Sequence, residues 1–210
     1  MRSFITSLRV AIVSMLVCVM LYTALILGIA QIFTPHTANG SLIFRDQRSE
    51  IRDHNQTSDL RPLTSEIIGS ELIAQKFERP EYFWPRPSAV DYNAAGAGGS
   101  NKSPTSPELA ERAREIIAKH GATAENPLPP ELAAASGSGL DPNLTMDAAL
   151  YQVGRIAQAR GLSPSQIEAL IADLASTPAG FLTPADRGRL VNVLDLNLAL
   201  DAIQHQTQLP

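Results

Sequence analysis

Cysteine is almost absent from this chain. Cys18 is the only one in 210 residues, so no disulfide forms within it and no paired-cysteine zinc site exists. No glycine is followed by lysine, which excludes a Gly-x-x-x-x-Gly-Lys phosphate loop. His-Glu-x-x-His and the Gly-x-Ser-x-Gly elbow are also missing. The four histidines, His36, His54, His120 and His205, are scattered. With no catalytic constellation and no metal-ligand set, a self-contained enzyme is not expected. Aromatic residues are only 5% of the chain, and no basic, aromatic-laced stripe marks a nucleic-acid surface.

Charge is missing from one long stretch. Val10 to Ala30 are twenty-one consecutive uncharged, mostly apolar residues, and the next charge is Arg45. A helix over such a length rises about 30 Å, the thickness of a bilayer's hydrocarbon core. Its eleven Leu, Ile and Val side chains favour insertion by about 3 to 6 kcal/mol. A secretory signal peptide has the same order of parts, and Gly28-Ile29-Ala30 resembles a cleavage site. Its apolar region, however, usually runs about 7 to 15 residues, so a retained membrane helix is expected over residues 10–32. Cys18 then sits mid-helix as a small lipid-facing side chain.

Arg2, Arg9 and the terminal amine precede the helix with no acid among them, which places residues 1–9 in the cytoplasm and the remainder outside it. Beyond Phe44 the chain holds 15 basic and 21 acidic residues, a net of −6, which also argues against nucleic acid. Residues 33–64 read as an exit segment and a polar linker, and residues 65–210 as one extracytoplasmic domain, long enough for its own core.

Within that domain, apolar anchors from Ile67 to Trp84 are broken by Gly69, Pro80, Pro85 and Pro87, which suits short strands and turns. Ser106-Pro107-Glu108 opens a helix that stops at Gly121, with Glu108–Arg112 and Glu115–Lys119 at i,i+4 spacing. A second helix is capped by Thr145 and closed by Gly161. A third starts at the Ser163-Pro164-Ser165-Gln166 capping box and ends before Pro178. Val191 to Asp201 fits a short strand followed by a helix. The fold class is α+β: one N-terminal transmembrane helix, then a compact domain of helices and short strands.

Two polar stretches are candidate sites. Arg86, Ser88, Asn93, Ser100 and Asn101 concentrate hydrogen-bonding groups among glycines, in a loop able to bind an anion or a partner's backbone. Turn geometry accounts for the same residues equally well. The second is Ser136-Gly137-Ser138-Gly139, which feeds the helix carrying Gln152 and Arg155, where loop amides and a helix end can hold phosphate.

A set of motifs runs in order from Ala38 to Asp201: Ala38-Asn39-Gly40-Ser41-Leu42, Gly69-Ser70-x-Leu72-Ile73-x-Gln75-x-Phe77, Tyr82-Phe83-x-x-Arg86-Pro87-Ser88-Ala89, Gly98-Gly99-Ser100-Asn101, Ala135 to Asp141, Gln152-x-x-Arg155-x-Ala157-x-Ala159-Arg160 and Val191 to Asp201. Behind one N-terminal helix, this set resembles the C subunit of the bacterial potassium-transporting Kdp ATPase, the KdpC family. The resemblance implies an accessory, non-catalytic subunit of a high-affinity, ATP-driven potassium uptake complex in the bacterial inner membrane, required for assembly and stability. Its implied partners are a channel-like potassium-binding subunit, a P-type ATPase catalytic subunit and a small single-helix subunit. The family is described as a catalytic chaperone that raises the catalytic subunit's ATP affinity. Gln152 matches the glutamine described as a nucleotide contact, so ATP is an implied transient ligand, and no tightly bound cofactor or metal is implied. Departures from the family pattern are a longer linker, Gly154 where proline is usual, Trp84-Pro85 and Lys102-Ser103. The alternative is a membrane-tethered extracytoplasmic protein binding a sugar or peptide at the Arg86 to Asn101 loops.

Overall fold

The computed structural model describes residues 2–44, 67–177 and 188–207. Most of the stretch read as a polar linker lies outside them. One continuous helix runs from Arg2 to Phe33, comprising α1 (Arg2–Met15), a π-helical segment (Leu16–Leu21) and α2 (Tyr22–Phe33). Among the described residues it is the one helix long and apolar enough to cross a membrane, and no part of its apolar stretch is buried within the chain. It starts ahead of the apolar run, because nothing between Arg2 and Arg9 breaks a helix. At 32 residues it is about 48 Å long, enough to cross a core of about 30 Å and still carry Arg2 clear of the hydrocarbon.

The helix ends at Thr34, which leaves helical geometry (φ −141°, ψ 56°), and Pro35 starts the single turn α3 (Pro35–Ala38). The elbow is tied by a reciprocal amide pair: Gln31 Nε2 donates to Asn39 Oδ1, and Asn39 Nδ2 to Gln31 Oε1, each at 3.2 Å. Asn39 Nδ2 also reaches the Pro35 carbonyl (2.7 Å).

Immediately after the elbow comes β1 (Leu42–Phe44), paired antiparallel with β2 (Ile67–Ser70) in the register Leu42 to Ser70 and Phe44 to Ile67. Leu42 to Phe44 fall within residues 33–64, read from sequence as exit segment and polar linker; the structure uses them as a strand. Three residues with a partner far along the chain carry too short a pattern to be read locally. Ile43 is buried against Leu194 and Leu198 of α9 (Val193–Thr207), so this hairpin-like pair belongs to the domain's packing. Ser70 Oγ donates to the Gly40 carbonyl (2.7 Å) and the Glu71 amide to that of Ser41 (3.1 Å), which joins the domain to the elbow.

The helices form largely where their caps predict. α4 (Pro107–His120) ends at a left-handed Gly121, although Ser106 makes no side-chain capping bond. Glu108 pairs with Lys102 (2.7 Å) rather than Arg112. The short α5 (Pro130–Ala133) follows, burying Leu132. β3 (Asn143–Thr145) leads into α6 (Met146–Tyr151), capped by Thr145 accepting from the Ala148 amide (3.3 Å). One helix is expected from Thr145 to Gly161; the structure breaks it at Gln152, and α7 (Val153–Arg160) continues beyond. α8 (Pro164–Leu174) carries the complete Ser163/Gln166 capping box. β4 (Leu190–Asn192) pairs antiparallel with β3 and runs directly into α9, the strand-then-helix order read from sequence. Asn192 Oδ1 caps α9 by accepting from the Leu194 amide (2.9 Å).

The core lies where α6, α7, α8 and α9 meet the β3–β4 pair. Phe83, Leu144, Ile156, Ile167, Ile171, Val191, Leu196 and Leu200 are all essentially sealed from solvent. Gly154 sits at the second position of α7, where an added β-carbon meets nothing within 4 Å. Gly154→Ala is therefore expected to raise stability by up to about 1 kcal/mol, read as a higher denaturant midpoint with an unchanged slope.

Candidate functional site

Phe83 and Trp84 belong to no helix or strand, yet both are buried in the core. Buried backbone donors and acceptors need partners, and here two side-chain amides supply them. Asn197 of α9 accepts from the Phe83 amide at Oδ1 (2.8 Å) and donates from Nδ2 to the Phe83 carbonyl (3.0 Å). Gln152, at the α6–α7 break, does the same for the next residue: the Trp84 amide donates to Oε1 (2.9 Å), and Nε2 donates to the Trp84 carbonyl (3.1 Å). Each amide replaces a neighbouring strand. Gln152 and Asn197 are each only 1% exposed.

Arginines close the clamp. Arg155 Nη2 donates to Gln152 Oε1 (2.7 Å), and Nη1 reaches the carbonyls of Pro80 and Tyr82, the latter at 2.9 Å. Its guanidinium lies 3.8 Å from the Trp84 ring centroid. Burial pushes the Arg155 pKa down to about 10, with Glu81 opposing the shift, so it stays charged at neutral pH. Gln152 Nε2 also lies 3.4 Å from the Ala148 carbonyl. All four hydrogen-bonding positions of the Gln152 amide are thus occupied from within the chain. Arg160 is 2% exposed at its side chain and bridges Asp201 (2.9 Å), Gln204 (2.7 Å) and the Glu81 carbonyl (2.7 Å). Tyr82, whose hydroxyl donates to Asp201 Oδ2 (3.2 Å), lies under the same guanidinium.

Trp84 also receives α4. Lys119 Nζ stands 4.4 Å from its centroid, and the His120 ring meets it edge-on at 5.0 Å. Burial, then the charges of Arg155 and Lys119, push the His120 pKa from 6.5 down to about 4. A histidine depressed in the folded state contributes stability fully above its unfolded pKa, and loses that contribution as pH falls through the folded value. The domain should therefore weaken between about pH 6.5 and pH 4. His120→Phe should flatten that part of the profile in denaturation midpoints measured at pH 7 and pH 5.

The two loops singled out in the sequence as separate candidates form one unit. The Ser136 amide donates to the Pro87 carbonyl (3.1 Å), and the Gly98 amide to that of Ser138 (2.7 Å). Gly139 has φ +69°, and a β-carbon there would lie 2.6 Å from Val90 and 2.8 Å from the Gly98 carbonyl, so glycine is required for the loops to meet. Arg86 pairs with Asp141 across the contact (2.9 Å). Ser88 Oγ accepts from the Val90 and Tyr92 amides (3.2 and 2.9 Å), and the Tyr92 hydroxyl donates to the Arg86 carbonyl (2.9 Å). Burial, aided by Asp91 and Glu78, pushes the Tyr92 pKa up to about 12. Asn93 closes an Asx turn onto the Ala95 amide (3.0 Å), while Asn101 adopts a positive φ of 50° beside Ser100. Among the described residues, no hydrogen bond or ion pair joins Ser136, Gly137, Ser138 or Gly139 to Gln152 or Arg155, so these six candidates occupy two places rather than one.

Asn197, Arg160 and Trp84 are site residues that no sequence motif singles out as such. The one local signal was Asn197 itself, an amide flanked by leucines on the apolar face of α9.

Comparison with known proteins places these features in context. A family model described as "KdpC: K+-transporting ATPase, c chain" matches residues 4–202. The chain is 53% identical over 204 residues to the potassium-transporting ATPase KdpC subunit of Parvibaculum lavamentivorans, covering 97% of this chain and 98% of that one. It is 40% identical over 206 residues to the subunit of the same name from Serratia proteamaculans, covering 94% and 97%. To that of Flavobacterium psychrophilum it is 35% identical over 210 residues, covering 97% and 100%.

Proposed function

We propose that this chain, which belongs to the KdpC family of K+-transporting ATPase c chains, is a non-catalytic accessory subunit that the potassium pump needs for assembly and stability. The observation that carries this reading is the Gln152–Asn197 clamp. Two of the domain's buried polar side chains, Gln152 and Asn197, hold its own backbone, and the domain is mounted by a tied elbow on a helix whose sides are free for lipid and other subunits. Its partners in this reading are a channel-like potassium-binding subunit, a P-type catalytic subunit and a small single-helix subunit.

Arg2 and Arg9 support a cytoplasmic N-terminus and a periplasmic domain in a bacterial inner membrane. There the net charge of −6 beyond Phe44 would weakly concentrate cations at the potassium entrance. The family's ATP-affinity effect then acts through assembly rather than through a nucleotide on Gln152. Direct contact would require the clamp to release Trp84, and a periplasmic domain meets no ATP pool.

The test is purification of the tagged full-length chain in detergent. Stoichiometric recovery of the other pump subunits is expected, and a stand-alone binding protein would come out without them. A pump that assembles and transports normally at low potassium without this chain would sink the proposal. Protease cleavage of a tag placed after Pro210 in spheroplasts reads the side of the membrane.

A further inference from the structure

Large aliphatic side chains exposed singly on a surface are ordinary. In this domain the most exposed ones are not scattered. Among the described residues outside the long helix, the two most exposed large apolar side chains are Ile67 (55%) and Leu72 (54%). Ile67 opens β2, and Leu72 lies in the turn that follows it.

That turn is bonded to the elbow, and the elbow to the end of the long helix. The Glu71 amide donates to the Ser41 carbonyl (3.1 Å), Ser70 Oγ donates to the Gly40 carbonyl (2.7 Å), and His36 Nε2 stands 3.6 Å from Glu71 Oε1. The Ser41 amide in turn donates to the His36 carbonyl (3.0 Å). Gly40 and Ser41 both take positive φ (83° and 47°), which turns the chain sharply here. The reciprocal amide pair holds Asn39 within reach of Gln31, in the last turn of the helix. Leu72 is therefore tied, through a short chain of bonds, to the end of the span.

A span takes about 20 residues. Counted from Arg9, the last charge before the apolar run, it ends near Ile29. Gln31 and the elbow then fall in the headgroup layer, which is about 5 to 8 Å deep on each side. Ile32 and Phe33, 75% and 76% exposed, sit at its inner boundary. This placement is the same whichever side of the membrane the domain occupies.

We propose that the β2 turn rests on the bilayer, with the side chains of Leu72 and Ile67 at the boundary between headgroups and acyl chains. The lipid surface that surrounds the span continues to the elbow, so lipid is the occupant that the chain's own geometry brings to these residues. Two aliphatic side chains are also not the Trp, Tyr and Arg anchors that protein interfaces favour. The contact sets the height of the domain over the membrane. It goes beyond the subunit reading and rests only on the long helix spanning the membrane.

Cys18→Ser removes the chain's only cysteine. Leu72→Cys, Ile67→Cys, Phe33→Cys or Ile117→Cys, all at exposed positions, then carries a single nitroxide label. The full-length chain, alone and in the assembled pump, is placed in nanodiscs of phosphatidylethanolamine and phosphatidylglycerol. Power saturation compares collision with oxygen, which concentrates in lipid, against collision with a water-soluble nickel complex. The oxygen-to-nickel ratio at positions 72 and 67 should be several-fold above that at 117, on α4, and approach that at 33. Nickel access at 72 equal to that at 117 overturns the proposal. So does shielding of 72 from both probes in the assembled pump, which would mean that another subunit covers it. A label at 33 that nickel reaches freely would sink the membrane reading first, and the proposal with it.

Discussion

Replacing Gln152 with alanine should cost the domain about 2 to 4 kcal/mol, because it strands the buried amide and carbonyl of Trp84 together. That is a large share of a typical folding stability of about 5 to 15 kcal/mol. Asn197→Ala should cost a similar amount, since it strands the same two groups of Phe83, which is fully buried. Urea unfolding of the full-length chain in micelles reads both. The pair also separates two accounts of ATP. If the subunit acts on ATP affinity through an intact clamp and assembly, both variants raise the pump's apparent KM for ATP to a comparable degree. If Gln152 touches nucleotide, Gln152→Ala raises it and Asn197→Ala, at an equal loss of stability, does not.

Arg160→Met should be the most damaging single change, at about 3 to 5 kcal/mol. The arginine is sealed in, and its removal takes the 2.9 Å ion pair from the Asp201 carboxylate, 19% exposed at its side chain, while the Tyr82 hydroxyl still donates to it. Gln204 and the Glu81 carbonyl lose their donor at the same time. Arg160→Lys keeps the charge but not the planar fork that reaches three acceptors, so it should recover only part of the loss. Pairing Arg160→Met with Asp201→Asn removes the stranded charge. The double variant should then be less unstable than the sum of the two single changes, the non-additivity that a double-mutant cycle measures.

What could be read along the chain is what is decided by neighbours in the chain. The Ser163 capping box closes over three residues, the stop at Gly121 needs one left-handed residue, and the membrane helix needs only an uninterrupted apolar run. The ordered motifs from Ala38 to Asp201 identified the family for the same reason: they are a property of sequence order alone. The clamp was not legible, because Gln152 meets Trp84 across 68 positions and Asn197 meets Phe83 across 114. Nothing in the local pattern of either helix says that its amide will stand in for a missing strand. The same holds for β1 and β2, and for the two glycine-rich loops that merged into one unit at Gly139. Sequence by itself determined the anchor, the helices with their caps, and the family. Only the tertiary structure decided which polar groups are engaged inside the domain and which remain unmet, because burial assigns every hydrogen bond to whichever partner packing brings within reach.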